Sequence, residues 1–133
     1  MRVWLYARLS NDDDREMNSL LNQREICQAF AEQHGYIIVG QSFDDNISGM
    51  SFDRRGLDEL MVAVDADKID AVIAKDLSRL GRHRTQTALF IDYLRKHQVR
   101  VISATEGVDT FRDEDDLIIG IRSLMNDYYA KAS

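Results

Sequence analysis

The chain has 133 residues, of which 44% are hydrophobic, and a formal net charge of −6. This length suffices to bury the core of one ordinary domain, so we expect a single domain. The acidic balance, with a pI near 5.0, argues against adhesion to DNA through bulk electrostatics. Basic residues nevertheless concentrate between Lys75 and Arg84, away from the acidic stretches at 12–14, 65–70 and 109–116. A local site for an anionic ligand is therefore compatible with the charge.

The sequence indicates a cytoplasmic location and no membrane partner. It contains no apolar run long enough to span a bilayer, and its start lacks the basic-then-apolar layout of a signal peptide. Cys27 is the single cysteine and cannot form an internal disulfide, and the histidines are not spaced as metal ligands. We therefore expect no metal and no cofactor.

Strand-like and helix-like segments alternate along the chain. Residues 2–9 are rich in β-forming side chains and run into a polar turn at Ser10, which predicts the first strand. Apolar residues at helical spacing follow and stop at His34-Gly35, which predicts the first helix. The remaining predicted elements are a strand over 36–43, a loop over 44–53, a helix over 57–64, a strand over 70–75, a helix over 89–94 and a strand over 99–104.

This βαβαβαβ order predicts an α/β fold in three layers. We expect a mostly parallel central sheet of four to five strands, with helices on both faces. Ligand sites in such folds lie beyond the carboxyl ends of the strands, so function is expected near Ser10, 44–53, 75–82 and 103–109. Apolar residues at helical spacing over 113–130 predict a final helix whose apolar surface is wider than one core contact needs.

The first candidate motif is Tyr6, Arg8 and Ser10 at the end of the first strand. Their spacing of two places all three side chains on the same side of the strand. A guanidinium matches the geometry of phosphate oxygens, so Arg8 is suited to hold a phosphate against the Ser10 hydroxyl. The plain structural alternative is that Ser10 only caps a turn and Arg8 lies on the surface.

A second candidate motif, residues 75–82, follows the third predicted strand and should reach the same edge of the sheet. If Ser78 opens a helical turn, Arg79 and Arg82 lie on one face of it. The alternative is a solvated basic turn, although Gly81 between the arginines favours a constrained backbone. Arg54 is a further candidate cation, and Asp45 is a candidate carboxylate that orients an arginine or a hydroxyl.

Taken in order, these motifs resemble those of the serine recombinases, the resolvase and invertase superfamily. The motifs are Tyr6-x-Arg8-x-Ser10, Ser19-Leu20-x-x-Gln23, Asp45-x-x-Ser48-Gly49, Asp53-Arg54 and Ser78-Arg79-Leu80-Gly81-Arg82. The resemblance implies that Ser10 is the nucleophile and that arginines surround the scissile phosphate. The implied arginines are Arg8, Arg54, Arg79 and Arg82, and the implied supporting residues are Tyr6, Gln23, Asp45, Ser48 and Ser78.

The resemblance also implies a mechanism and partners. Serine attack on DNA gives a 5′-phosphoserine linkage without metal or nucleotide, and the enzyme pairs into a homodimer and a synaptic homotetramer on double-stranded DNA. Residues 1–133 would form the catalytic domain, with 113–133 beginning a longer helix for subunit pairing that leads to absent DNA-binding domains. Small resolvases and invertases usually carry aspartate at the position of Ser78, whereas a serine there is similar to the large serine recombinases. Tyr128-Tyr129-Ala130-Lys131 likewise resembles the large group. Integration, excision, resolution and inversion all stay open.

Two other classes fit an acidic α/β chain of this size. A receiver-type or Mg²⁺-binding signalling module would use Asp12, Asp13 and Asp14 with Lys75, and would need Asp76 as a further carboxylate. That alternative leaves the arginines unexplained. A non-catalytic assembly domain, dimerising through the final helix, is the third reading, and it does not exclude catalysis.

Overall fold

The computed structural model describes residues 1–10, 18–46, 54–81 and 84–110. The strands are β1 (Arg2–Ser10), β2 (Ile37–Asn46), β3 (Ala71–Ala74), β4 (Arg100–Ser103) and β5 (Val108–Asp109). The helices are α1 (Leu20–Gln33), α2 (Arg55–Asp65) and α3 (Arg84–Lys96), with a 3-10 helix, η1, at Leu77–Leu80. The predicted final helix over 113–130 and the acidic run Asp12 to Asp14 lie outside the described residues.

The strands form one sheet in the order β2-β1-β3-β4-β5. The four longer strands run parallel, and the two-residue β5 pairs antiparallel with β4. This topology confirms the predicted α/β class with a mostly parallel sheet. Since parallel strands share the direction of their carboxyl ends, the segments that follow β1, β2 and β3 emerge at one edge of the sheet.

Helices cover both faces of the sheet, as predicted. On one face, α1 packs Cys27 and Ala31 against Leu5 and Ile73 of the central strands. On the other face, α2 and α3 pack against the alternate strand residues, among them Tyr6, Val72 and Val101. This division follows from the period of two along a strand, which sends successive side chains to opposite faces. No helix in the described part of the chain has the length and apolarity that crossing a membrane requires.

The first helix has the ends that its sequence predicts. The Ser19 side chain accepts a hydrogen bond from the Asn22 backbone N–H at 3.0 Å, which satisfies one donor of the first turn. At the other end Gly35 takes a φ of +69°, a left-handed conformation that suits glycine. These two features define where α1 begins and ends.

The second strand is longer than predicted, and this is a correction. The sequence predicts a loop over 44–53, but β2 continues to Asn46 in register with the end of β1, where Asn46 pairs with Ser10. Asp44 is almost fully buried in the strand. Its carboxylate accepts hydrogen bonds from α2, and this tertiary contact outweighs the preference of Asp and Asn for turns.

Candidate active site

A cavity of about 280 Å³ lies at the carboxyl edge of the sheet. Three arginines that are far apart in sequence line it: Arg8 of β1, Arg54 immediately before α2, and Arg79 of η1. The rest of the lining is mostly apolar and comes from Tyr6, the Leu80-Gly81 segment, and side chains of α2 and α3 that include the polar Gln86. The structure therefore brings three of the four predicted phosphate-binding arginines to one cavity, and the fourth, Arg82, lies outside the described residues.

Arg8 is held through both its backbone and its side chain. The buried amide of Gln23 accepts from the Arg8 backbone N–H at 3.1 Å and donates to the Arg8 carbonyl at 2.8 Å. The Arg8 guanidinium donates through Nη2 to the carbonyls of Ser78 at 2.5 Å and Gly81 at 3.0 Å. The predicted supporting residue Gln23 thus fixes the peptide of Arg8, while η1 fixes its side chain.

Arg79 is buried, with only 4% of its surface exposed. Its guanidinium donates to three acceptors: Asp76 Oδ2 at 3.3 Å, the Arg8 carbonyl at 3.0 Å and Asn18 Oδ1 at 3.1 Å. A buried cation requires partners of this kind, because its desolvation is otherwise costly. The acceptors come from three different segments, so the guanidinium plane is set by the tertiary fold.

The turn that carries Arg79 begins differently from the prediction. Asp76, rather than Ser78, caps η1, and its side chain accepts from the Ser78 backbone N–H at 3.1 Å. Ser78 is exposed, and its hydroxyl donates to the same carboxylate. Asp76 is better placed because it precedes the turn and its second oxygen also pairs with Arg79 at 3.2 Å. The carboxylate that the magnesium alternative requires is thus engaged in holding η1.

Arg54 occupies a different environment. Its side chain is 47% exposed and pairs with Asp58 one turn into α2, at 3.3 Å between Nε and Oδ1. The residue stands at the N-cap position of α2, although its side chain makes no capping hydrogen bond. Arg54 therefore reaches the cavity from its rim.

Asp44 is a site residue that the sequence did not single out. Its carboxylate is 1% exposed and accepts from the Tyr6 hydroxyl at 2.7 Å, the Gly56 N–H at 2.6 Å and the Leu57 N–H at 3.0 Å. A carboxylate at a helix N-terminus satisfies otherwise unpaired N–H groups and opposes the positive end of the helix dipole. The predicted supporting residue Tyr6 thus connects β1 to the start of α2 through Asp44.

Two glycines allow the close approaches that shape the cavity. A Cβ on Gly56 would lie 2.4 Å from the Phe43 carbonyl oxygen, so only glycine lets α2 begin directly against β2. A Cβ on Gly81 would lie 2.7 Å from the Thr87 nitrogen, where η1 meets α3. The second contact supports the sequence-based interpretation that the backbone around Gly81 is constrained.

Ser10 ends β1, two residues beyond Arg8, and is half-buried. It does not line the cavity that the described residues enclose. Asp45 pairs in register with Leu9 and is exposed, so the carboxylate that engages α2 belongs to its neighbour Asp44. Ser48, the remaining predicted supporting residue, lies outside the described residues.

A larger groove of about 660 Å³ is lined by residues of α1, β1, β2 and the start of α2, and by none of the three site arginines. Cys27 lies in it but is 1% exposed, and burial raises the pKa of its thiol to about 12. Such a thiol stays protonated at neutral pH and is a poor nucleophile. Within the described ranges, no cluster of His, Cys, Asp or Glu side chains could hold a metal ion.

Comparison with known families identifies the chain. The family model described as Resolvase, N terminal domain matches residues 3–132. The chain belongs to this family. Transposon Tn3 resolvase from Escherichia coli is 29% identical over 123 residues, and the match covers 92% of this chain and 60% of that protein. The protein of the same name from Klebsiella pneumoniae matches to the same extent, so the chain spans about 60% of the length of these relatives.

Solved structures agree with this assignment. A resolvase family site-specific recombinase from Streptococcus pneumoniae has a TM-score of 0.79 and 27% identity, over 99% of this chain and 89% of that one. The N-terminal catalytic domain of TP901-1 integrase has the same fold, with a TM-score of 0.77 and 23% identity over 100% of this chain and 99% of that one. The resemblance to the resolvase and invertase superfamily is confirmed, while membership of the large group stays a prediction.

Proposed function

We propose that this chain is the catalytic domain of a site-specific DNA recombinase that cleaves and rejoins DNA through a 5′-phosphoserine bond formed by Ser10. The observation that carries the proposal is the cavity at the carboxyl edge of the sheet. Arginines from three separate segments meet there. One of them, Arg8, lies two residues before Ser10 on β1. A cluster of guanidiniums is suited to a phosphodiester and unsuited to a cationic or apolar substrate.

In the proposed step, Ser10 Oγ loses its proton and bonds to the phosphorus, while the bond from phosphorus to the 3′ oxygen breaks. The 3′ oxygen leaves with the electron pair and is protonated. Attack by a 3′ hydroxyl on the phosphoserine reverses the step and rejoins a strand. Arg8, Arg54, Arg79 and Arg82 oppose the negative charge of the transition state, which gives the site a way to work without a divalent metal.

The partners follow from the same proposal. We infer that residues 1–133 act as one catalytic domain and that double-stranded DNA is bound mainly through further domains of a longer protein. The net charge of −6 and the pI near 5.0 support this division, because an acidic domain gains little from the phosphate backbone outside a local arginine site. Pairing as a homodimer and a synaptic homotetramer belongs to the proposal as well.

The test is a covalent-adduct assay with the full-length protein and DNA carrying its recombination site. Ser10→Ala should abolish the protein–DNA adduct on a denaturing gel and leave DNA binding nearly unchanged. Thr105→Ala serves as the matched control, since it removes an exposed hydroxyl from the same edge of the sheet, where Thr105 Oγ1 donates to the Lys75 carbonyl at 2.7 Å. An adduct formed by Ser10→Ala would show that another residue is the nucleophile.

A further inference from the structure

Asn18, immediately before α1, accepts hydrogen bonds from two cations at once. Its side-chain oxygen lies 2.5 Å from Lys75 Nζ and 3.1 Å from Arg79 Nη2. The two partners are 57 and 61 residues away in sequence, so no local motif marks this contact. A single neutral oxygen thus accepts hydrogen bonds from both positively charged side chains, which follow β3 in the sequence.

The position of Asn18 is fixed by the residue that fixes Arg8. Gln23 Nε2 donates to the Asn18 backbone carbonyl at 2.8 Å and to the Arg8 carbonyl at the same distance. Gln23 is fully buried, so these contacts form inside the protein. The chain of contacts runs from Arg8 through Gln23 and Asn18 to Arg79. Because the Gln23 contact uses the backbone of Asn18, a change of the Asn18 side chain leaves it in place.

We infer that Asn18 is a positioning residue that sets the orientation of the Arg79 guanidinium toward the scissile phosphate, an inference that rests on the proposed function. A guanidinium is planar, and an acceptor on each of its three nitrogens determines where that plane points. Asp76 Oδ2 contacts Nε at 3.3 Å and Nη2 at 3.2 Å, the Arg8 carbonyl accepts from Nη1 at 3.0 Å, and Asn18 Oδ1 accepts from Nη2 at 3.1 Å. Removing the Asn18 oxygen takes away the contact on the α1 side, so the plane, which Asp76 and the Arg8 carbonyl still contact, should be less firmly fixed.

The neutral amide has a chemical advantage over a carboxylate at this position. An aspartate would accept the same two hydrogen bonds but would neutralise part of the positive charge of Lys75 and Arg79. Transition-state stabilisation depends on that charge acting on the developing negative oxygens. Asn18 therefore orients the guanidinium without weakening its field.

The experiment measures adduct formation by the full-length protein in single turnover. Asn18→Ala should slow the reaction about tenfold, the effect of one hydrogen bond to a charged group, and leave the DNA dissociation constant within about twofold. In an Arg79→Lys background the same change should add less than about twofold, because the two residues act as a unit. The matched control is Asn22→Ala, in the first turn of α1, whose side-chain oxygen has no partner among the described residues; it should stay within about twofold of wild type.

A spectroscopic measurement separates this role from a loss of folding and from a failure of the proposed function. The Nε–Hε signal of Arg79 in the 133-residue chain should be sharp and slowly exchanging in wild type and in Asn18→Asp, and broadened in Asn18→Ala. Asn18→Asp should still react more slowly than wild type because of its added negative charge. Wild-type adduct formation with an unchanged rate in Asn18→Ala would overturn the positioning role alone. If neither wild type nor any variant forms an adduct, the proposed function is wrong. An Arg79 signal that is unchanged in Asn18→Ala would overturn the positioning inference independently.

Discussion

The two sides of the arginine cavity are built differently. On the η1 side, Arg79 is 4% exposed and its guanidinium contacts three protein acceptors. On the α2 side, the Arg54 side chain is 47% exposed and makes an ion pair within its own helix. The same residue type is therefore fixed in advance on one side and able to reorient on the other. Under the proposed function, η1 would provide a preformed contact for phosphate, whereas Arg54 would adapt to the substrate.

The difference arises from the anchoring of each segment. η1 is a single short turn from Leu77 to Leu80. The Arg8 guanidinium donates to the Ser78 and Gly81 carbonyls, and the Glu106 carboxylate accepts from the Leu77 N–H. Arg54 instead precedes a helix whose first N–H groups are held by Asp44, while its own side chain points along the helix surface. A change of Arg79 should therefore affect both stability and chemistry, and a change of Arg54 chemistry alone.

The largest expected effect comes from making the same substitution on both sides. Arg79→Lys keeps the charge but loses the planar fork, so adduct formation should fall about a hundredfold and the free energy of unfolding by about 3 kcal/mol. Arg54→Lys should change the free energy of unfolding by less than about 0.5 kcal/mol, because its ion pair is exposed to solvent. Urea denaturation and the adduct assay measure the two quantities.

Equal losses of stability in the two variants would remove the distinction between the sides. A near-normal rate for Arg79→Lys would instead contradict the phosphate-binding role of Arg79, whatever its effect on stability. Lys75→Gln provides a charge control on the η1 side, since it removes a neighbouring cation that shares the Asn18 acceptor.

The second prediction concerns the anchor of the α2 side. Asp44→Asn replaces one carboxylate oxygen by a donor, which then faces either the Gly56 N–H or the Leu57 N–H and the Tyr6 hydroxyl. The unfavourable contact should lower the free energy of unfolding by about 2 kcal/mol. The exposed Asp58→Asn, on the same helix, should cost less than about 0.5 kcal/mol in the same denaturation experiment. A neutral effect of Asp44→Asn would show that α2 is held by apolar packing alone.

The sequence predicted the architecture because periodicity is a local property. The apolar pattern identified each parallel strand and each described helix, and the serine and arginine motifs lay at strand ends where ligand sites are expected. Asp44, Asp45 and Asn46 are residue types that favour turns, so the predicted end of β2 at residue 43 was wrong. Asp44 and Asn18 were missed for a related reason, since the hydrogen-bond partners of their side chains lie at least 12 residues away and belong to other elements.

The third prediction uses Cys27 as a probe of the η1 side, because it follows Gln23 by one turn of α1. A protonated and buried thiol reacts with a disulfide reagent only when the helix opens, and its pKa of about 12 keeps the thiolate scarce at neutral pH. Labelling of native protein should therefore be slow, several-fold faster in Arg79→Lys, and unchanged in Arg54→Lys. Fast labelling of wild type would show that α1 opens readily and cannot hold Arg8 firmly.

The last predicted effect is a small one at the opposite end of β1 and serves as a reference outside both sides of the cavity. Arg2 donates to the Asp70 carboxylate through its backbone N–H at 2.8 Å and through its guanidinium at 3.1 Å, and these contacts lower the pKa of Asp70. Both side chains are about two-fifths exposed, at 43% and 42%. Asp70→Asn should therefore cost less than about 1 kcal/mol of unfolding free energy near pH 7.

The lowered pKa of Asp70 determines how the stability contributed by this ion pair changes with pH. A carboxyl whose pKa is lower in the folded state stabilises the protein above its unfolded pKa, near pH 3.9, and loses that contribution as the pH falls through the folded pKa. The difference in unfolding free energy between wild type and Asp70→Asn should thus be constant from about pH 7 to pH 5 and shrink below about pH 4. Adduct formation near neutral pH should not change, since the ion pair lies away from the carboxyl edge of the sheet. A difference that grows on acidification would contradict the assignment, because protonation of Asp70 removes the interaction that the asparagine variant already lacks.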